Sequence, residues 1–386
     1  MTTPSLAAVA ALSRIRQDVR GMHAYAVQDS KGMVKLDAME NPYRLSPALQ
    51  EALGKRLGAV ALNRYPDGRV NDLRQALAAY ADMPEGFEIM LGNGSDELIS
   101  MLSIACAVPD ATGARAVVVA PTPGFVMYAM SAQLLGLDFV GVPLGTDFAL
   151  DVPAMVGAIL AKKPALVYLA YPNNPTANLW SESSMAQVIA AAGEVGSIVV
   201  LDEAYQPFSS RTYLDTIRQA PDRHGHVLLM RTMSKFGLAG VRLGYLMGPK
   251  ALVAELDKVR PPYNISVLNY ECALFALEHA DVFAQQAASL RAQRTRLLAA
   301  LRGMPQVHAW DSDANMVLVR IQAQGAAALE AAAAKVFNGL KARGVLVKNI
   351  SKMDPLLAGC LRLTVGTEEE NTLLLAALRA SLEETV

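Results

Sequence analysis

The chain is short of cysteine, of aromatic residues and of charge in excess of either sign. Its three cysteines, Cys106, Cys272 and Cys360, stand far apart in apolar stretches with no CxxC pair. That spacing excludes a disulfide framework and a zinc pattern, and leaves buried structural thiols as the expectation. Lysine and arginine total 35 against 36 acidic residues, a net charge of −1. A near-neutral chain lacks the basic footprint of a nucleic-acid or anionic-membrane binder. No run approaches the roughly 18 apolar residues of a membrane span. The short apolar segment near the N-terminus is followed, not preceded, by Arg14, Arg16 and Arg20, the reverse of a secretory signal. Five scattered histidines, with His224 and His226 in an expected loop, make no metal motif. These absences fit a reducing cytoplasm.

What the chain does have is aliphatic content and length. With 52% hydrophobic but only 6% aromatic residues, Ala, Leu and Val must fill the interior, and 386 residues suffice for two domains. VNDLRQALAAY (70–80) places Val70, Leu73, Leu77 and Tyr80 at helical spacing. From about residue 88 to 250 helical patterns alternate with short, near-continuous apolar runs: AVVVAP (116–121), ALVYLAYP (165–172), SIVVLDEAY (197–205) and HVLLMRTMS (226–234). Runs of that kind predict an α/β fold with a mostly parallel sheet covered on both faces. Pro261–Pro262 interrupts the pattern, a long helix follows over about 276–302, and NMVLVRI, VLVKNI and CLRLTVG read as strands of a smaller α+β domain. The expected division is an N-terminal arm with one short helix over 1–50, assigned in part to the small domain. A large domain over 51–265 and a C-terminal small domain over 266–386 follow.

The polar residues fall at the C-terminal ends of the apolar runs, the edge of an open α/β sheet where ligands bind. Lys235 follows HVLLMRTMS; an amine there can form a Schiff base with an aldehyde and serve as a base once desolvation lowers its pKa. Asp202 ends SIVVLD, where a carboxylate is costly unless paired. GNGSDEL (92–98) sets glycines and a serine before a helix, whose free N–H groups favour an anion. Arg242, seven residues after Lys235, offers a planar fork suited to phosphate oxygens. In CLRLTV, Arg362 and Thr364 share one strand face and Leu361, Leu363 and Val365 the other. Taken singly, each has a plain alternative: a surface lysine, a helix cap, a loop hydrogen bond, a strand-edge arginine. Together they reinforce one another.

The set GNGSDEL, PGFVMY (123–128), YPNNPTAN (171–178), LDEAY (201–205), TMSKFGLAGVR (232–242) and CLRLTVGT (360–367) resembles the fold-type-I aminotransferases that use pyridoxal 5′-phosphate, from Asn41 to Thr367. NRYPDG (63–68), the Ser-Lys-x6-Arg spacing and CLRLTVGT followed by EEEN bring it nearest to the histidinol-phosphate aminotransferase family. The resemblance implies a large domain with a mostly parallel, seven-stranded-type sheet and a smaller α+β domain. It makes Lys235 the Schiff-base lysine and proton carrier, Asp202 the partner of the pyridinium N–H, and Tyr205 and Asn174 the neighbours of O3′. The amides near Gly94, Ser95 and Asp96, with Ser234 and Arg242, hold the phosphate. Phe125, or alternatively Tyr128, stacks on the ring. Tyr65 reaches the phosphate across a subunit interface, which implies a homodimer with a shared site. Arg362, Lys348, Tyr25 and Asn41 fall on the substrate side. The chain departs from the family at Ala177, usually glycine, at Lys348, often arginine, and in extra residues around PGFVMY. The implied reaction is a ping-pong transamination of L-histidinol phosphate with 2-oxoglutarate, giving imidazole acetol phosphate and L-glutamate in histidine biosynthesis. Alternatives are an aromatic-amino-acid aminotransferase, a threonine-phosphate decarboxylase, or a non-catalytic module that binds the same cofactor. No basic helix-turn-helix segment supports the last, and no GxGxxG follows the first strand to favour nucleotide binding.

Overall fold

The computed structural model describes residues 5–22, 28–66, 70–109 and 112–384. It divides into two units, Met1–Gly32 and Met33–Val386. In the first, two short helices, Leu6–Leu12 and Gln17–Arg20, take the place of the single one expected. All the strands of the described residues lie in the second: β1 (Val34–Lys35), β2 (Phe87–Gly92), β3 (Val117–Thr122), β4 (Asp138–Pro143), β5 (Leu166–Ala170), β6 (Ile198–Asp202), β7 (Val227–Thr232), β8 (Gly244–Pro249), β9 (Val307–Ala309), β10 (Met316–Ile321), β11 (Val345–Leu346), β12 (Lys348–Asn349) and β13 (Cys360–Thr364).

Seven strands form one sheet in the order β2-β8-β7-β6-β5-β3-β4. All pairings are parallel except those of β8, which runs antiparallel to both β2 and β7. The alternation of side chains sorts the central strands between two apolar layers. Val167, Leu169, Val199, Leu201, Val227 and Leu229 enter one cluster. Leu166, Tyr168, Val200, Leu228 and Met230 enter the other. Both faces are therefore covered, which is why these runs read as continuous apolar stretches. Because β8 reverses direction beside β7, the chain must turn within residues 233–243, and that turn carries Lys235 and Arg242.

A four-stranded antiparallel sheet, β12-β13-β10-β9, and a parallel pair, β1-β11, lie over a third cluster with the helices Ala280–Arg302, Ala326–Ala342 and Glu368–Glu383. The segment VLVKNI is thus two short strands serving two sheets, and the long helical stretch is two helices broken at His279. Arg362 is half-buried, while Thr364 on the same face is buried: its hydroxyl accepts from Met39 N and its own N–H donates to Leu36 O. Of the cysteines, Cys360 is buried while Cys106 and Cys272 are half-buried, and His224 is buried in a short helical turn.

Among the described residues, one ion pair lies wholly inside. Arg231 on β7 donates through Nε and Nη2 to Glu203 Oε2 at 3.0 and 2.8 Å. Thr212 Oγ1 and Tyr213 N donate to the other oxygen at 2.8 and 2.6 Å. Removing one partner strands a buried charge, which typically costs about 3–5 kcal/mol. Glu203→Ala is expected to lower the urea midpoint accordingly, whereas Glu182→Ala, which breaks an exposed pair with Arg211, should cost less than about 1 kcal/mol.

Candidate active site

A cavity of about 350 Å³ opens where β5, β6 and β7 end, at Ala170, Asp202 and Thr232. Ser95, Asp96, Phe125, Tyr128, Asn174, Tyr205, Ser234, Lys235 and Arg242 also line it, so nine further residues singled out in the sequence meet there. Ala38, Met39 and Glu40 add to the wall from an earlier segment.

Lys235 sits in a tight turn over Ser234–Leu238 that Gly237 permits with φ 144°. Its Nζ donates to Ala38 O at 2.9 Å. Surrounding protein disfavours the ammonium and lowers its pKa to about 8; Arg362, Arg242 and Lys35 push the same way and Glu40 opposes them. Asp202 is buried, and burial lifts its carboxyl to about 6. Two neutral donors resist that rise: Tyr128 Oη at 2.6 Å from Oδ2 and Ala204 N at 3.0 Å from Oδ1.

The helix Ser95–Cys106 begins after Gly94, at φ 82°, and no side chain caps it. Gly94 lets Arg242 approach, since a Cβ there would stand 2.7 Å from Nη2. Gly244, at the start of β8, would with a Cβ stand 2.7 Å from Gly94 C and Ser95 N. Arg242 itself is held at φ 55°, a left-handed conformation uncommon outside glycine. Its Nη2 meets Asp96 Oδ2 at 3.2 Å and its Nη1 meets Ser234 Oγ at 3.5 Å. An uncapped helix N-terminus, a hydroxyl and a guanidinium therefore converge on one anion-sized corner. Arg362, outside the lining, reaches it through Asn174: its Nη1 donates to Asn174 Oδ1 at 2.8 Å and its Nη2 to Asp37 O at 2.9 Å.

Tyr128 is buried and packed flat on Tyr168, with ring centroids 4.3 Å apart, while Phe125 meets Tyr128 edge-on and is left facing the cavity. Asn41 is outside the lining, its Nδ2 donating to Gln286 Oε1 at 2.8 Å and to Phe236 O at 3.4 Å. Lys348 is the cross-strand neighbour of Arg362. Tyr65 is 76% exposed, stacks on Tyr263 and borders a separate depression with Arg56, Arg64 and Glu271. Tyr25 lies outside the described residues. Ala177 adopts φ 63°, the left-handed geometry that favours glycine at this position. Sequence reasoning passed over Ala38, Glu40 and Thr232; LDAMENPY and RTMSK were the signals, but nothing local showed that the first segment would lie beside the second.

The donor set fits pyridoxal 5′-phosphate: an amine of lowered pKa, a buried carboxylate, a flat apolar ring and an anion cradle. The chain belongs to the family described as aminotransferase class I and II, which matches residues 31–378. Two relatives, histidinol-phosphate aminotransferases of Paracidovorax citrulli and Polaromonas naphthalenivorans, are each 66% identical to it, over 97% and 95% of this chain and 98% and 96% of theirs. The crystal structure of histidinol-phosphate aminotransferase from Sinorhizobium meliloti in complex with pyridoxal-5′-phosphate superposes with a TM-score of 0.82 at 24% identity, covering 97% of this chain and 99% of that one.

Two pH dependences follow. Borohydride-trapped labelling of Lys235 by a small aldehyde should become half-maximal near pH 8, and Arg362→Ala should move that midpoint upward by removing a cation. Asp202 binds its proton more tightly folded, near 6, than unfolded, at 3.8, so the cofactor-free protein loses stability as pH rises through 6, on the order of 3 kcal/mol in all. In urea unfolding at pH 4.5 and 7.5, Asp202→Asn should flatten that loss and melt later than the parent at the higher pH.

Proposed function

We propose that the chain is a pyridoxal-phosphate transaminase acting on L-histidinol phosphate and 2-oxoglutarate. One observation carries the reaction class: Lys235, with its lowered pKa, shares a cavity with buried Asp202 and the Ser95–Ser234–Arg242 cradle. The substrate rests on the relatives above, named histidinol-phosphate aminotransferases at 66% identity over nearly the whole chain.

When bound, the cofactor supplies an aldehyde carbon that takes an amine and a ring that withdraws electrons from the substrate's Cα. The chain's own residues do the rest. The amides of Ser95 and Asp96, with Ser234 and Arg242, hold the phosphate. Asp202 keeps the ring nitrogen protonated. Asn174 and Tyr205 orient the ring through O3′, and Phe125 covers one face. Lys235, neutral above about pH 8, takes a proton from Cα and returns it at C4′, the 1,3-shift that transamination requires. Arg362, fixed by Asn174, receives the substrate anion, the phosphate of one substrate or a carboxylate of the other, in the two halves of a ping-pong cycle. Lys348 beside it adds a second positive charge. In this reading 51–265 is the cofactor domain and 266–386, with part of the arm, the domain that carries Arg362.

Tyr65 serves a second copy of the chain. Its exposed ring, with Leu62 and Tyr263 also exposed, supports a homodimer in which each subunit contributes Tyr65 to its neighbour's phosphate. Three unpaired cysteines and the biosynthetic relatives support a cytoplasmic location. No helix among the described residues is long and apolar enough to cross a membrane.

Mixing the cofactor-loaded protein with L-histidinol phosphate alone should abolish its visible band, and 2-oxoglutarate should restore it. An unchanged band would reject the substrate, and phenylalanine, tyrosine and threonine phosphate would then separate the alternatives. Lys235→Ala should lose the cycle. Arg242→Ala should weaken cofactor retention about 10- to 100-fold, the range for hydrogen bonds to charged groups.

A further inference from the structure

We propose that Tyr128 is a positioning residue for the reaction, its hydroxyl holding the Asp202 carboxylate as an anion in the one orientation that meets a ring N–H from the cavity. This rests on the reading of Asp202 as partner of the cofactor's ring nitrogen.

The geometry is specific. Tyr128 stands in the first turn of the helix Val126–Leu135, three residues after Phe125, and only 3% of its surface is exposed. Its ring lies at 10° to that of Tyr168, which β5 plants beside β6, and Phe125 closes on it at 85°. With both neighbours in place the ring has no room to swing, so the hydroxyl is delivered to a fixed point 2.6 Å from Asp202 Oδ2. Ala204 N fixes Oδ1 at 3.0 Å. Each oxygen is thus pinned by one donor and keeps a further lone pair. Both Tyr128 and Asp202 border the cavity, so a lone pair remains for a donor that enters it.

The direction of the bond decides its effect. Burial and the nearby Asp202 charge keep the phenol protonated far above its ordinary range, so Tyr128 donates and Asp202 accepts. A donor to the charged form favours that form. The surroundings otherwise favour a neutral acid: burial comes first, and Asp96, from the helix Ser95–Cys106, and Glu203, next along the chain, add like charge. Tyr168 and Tyr205, buried on either side, are neutral, and Glu203 is paired with Arg231 of β7. Lys235 follows from the same strand. Without the Tyr128 hydroxyl, Asp202 would take up its proton closer to neutrality, and a neutral acid cannot hold the ring nitrogen protonated.

Tyr128→Phe removes the hydroxyl and keeps the stack. In titrations of cofactor-free protein, its dissociation constant for pyridoxal phosphate at pH 7.5 should rise about tenfold, as for one hydrogen bond to a charged group. The acidic limb of that affinity, followed from pH 5 to 8, should move up by about one unit. Phe125→Leu should weaken binding without moving the limb. Replacing Tyr128 by a difluorotyrosine, a stronger donor of the same shape, should move the limb down, and it stands as the test if the phenylalanine variant does not fold. An acidic limb that stays put in both variants, while Asp202→Asn loses affinity, overturns this inference alone. Unchanged affinity in Asp202→Asn would remove the reading beneath it.

Discussion

The structure is organised around the burial of charge at the ends of apolar strands. β5, β6 and β7 are closed to solvent on both faces, so the residues at and just beyond their ends inherit an environment that disfavours ions. Asp202 and Lys235 occupy that environment, and their pKa values are driven toward each other, to about 6 and about 8. Nothing in folding alone rewards such placement. The neighbouring Glu203 and Arg231 show the stable solution, a closed ion pair with its lone pairs satisfied. Asp202 and Lys235 are instead held by uncharged partners, Tyr128, Ala204 N and Ala38 O, which leaves their chemistry available to a ligand.

Much of this was legible in the sequence, and the physical reasons separate what was from what was not. Strands buried on both faces announce themselves as apolar runs, so β3, β5, β6 and β7 could be placed within a few residues. β4 lies at the sheet edge with mostly exposed or half-buried residues and has no such run. β8 is rich in glycine, and β2 is half-buried at its start, so neither stood out. The split of VLVKNI depends on which partner strand each half meets, which pattern alone does not encode. Most of the residues that meet in the cavity were legible because they sit near strand ends in short motifs. Tyr128 was singled out only as the alternative to Phe125 on the ring, because its bond to Asp202 joins residues 74 apart in the chain.

The segment from Met33 to Asn41 illustrates how far local reading reaches. It holds little regular structure beyond β1, yet its backbone supplies the acceptors for Lys235 and Arg362, at Ala38 O and Asp37 O. Met39 closes the loop in both directions, its N–H on Thr364 and its carbonyl on Asn315. Carbonyl groups carry no residue identity, so this contribution leaves no trace in the sequence. It also ties Lys235 and Arg362 to one short stretch of chain, so a displacement of that stretch is felt by both.

The fit of Gly94, Gly244 and Arg242 has a bearing on how such a protein can be rebuilt. β2 and β8 are neighbours in the sheet although they belong to distant parts of the chain, and at their shared end the two backbones touch with no room for a side chain. The turn after β2 and the loop before β8 are therefore two halves of one mould. A chimaera assembled from two parents inherits a working corner only when both halves come from the same source, so productive crossover points lie outside the span from Gly92 to Gly244 or leave both of its ends untouched.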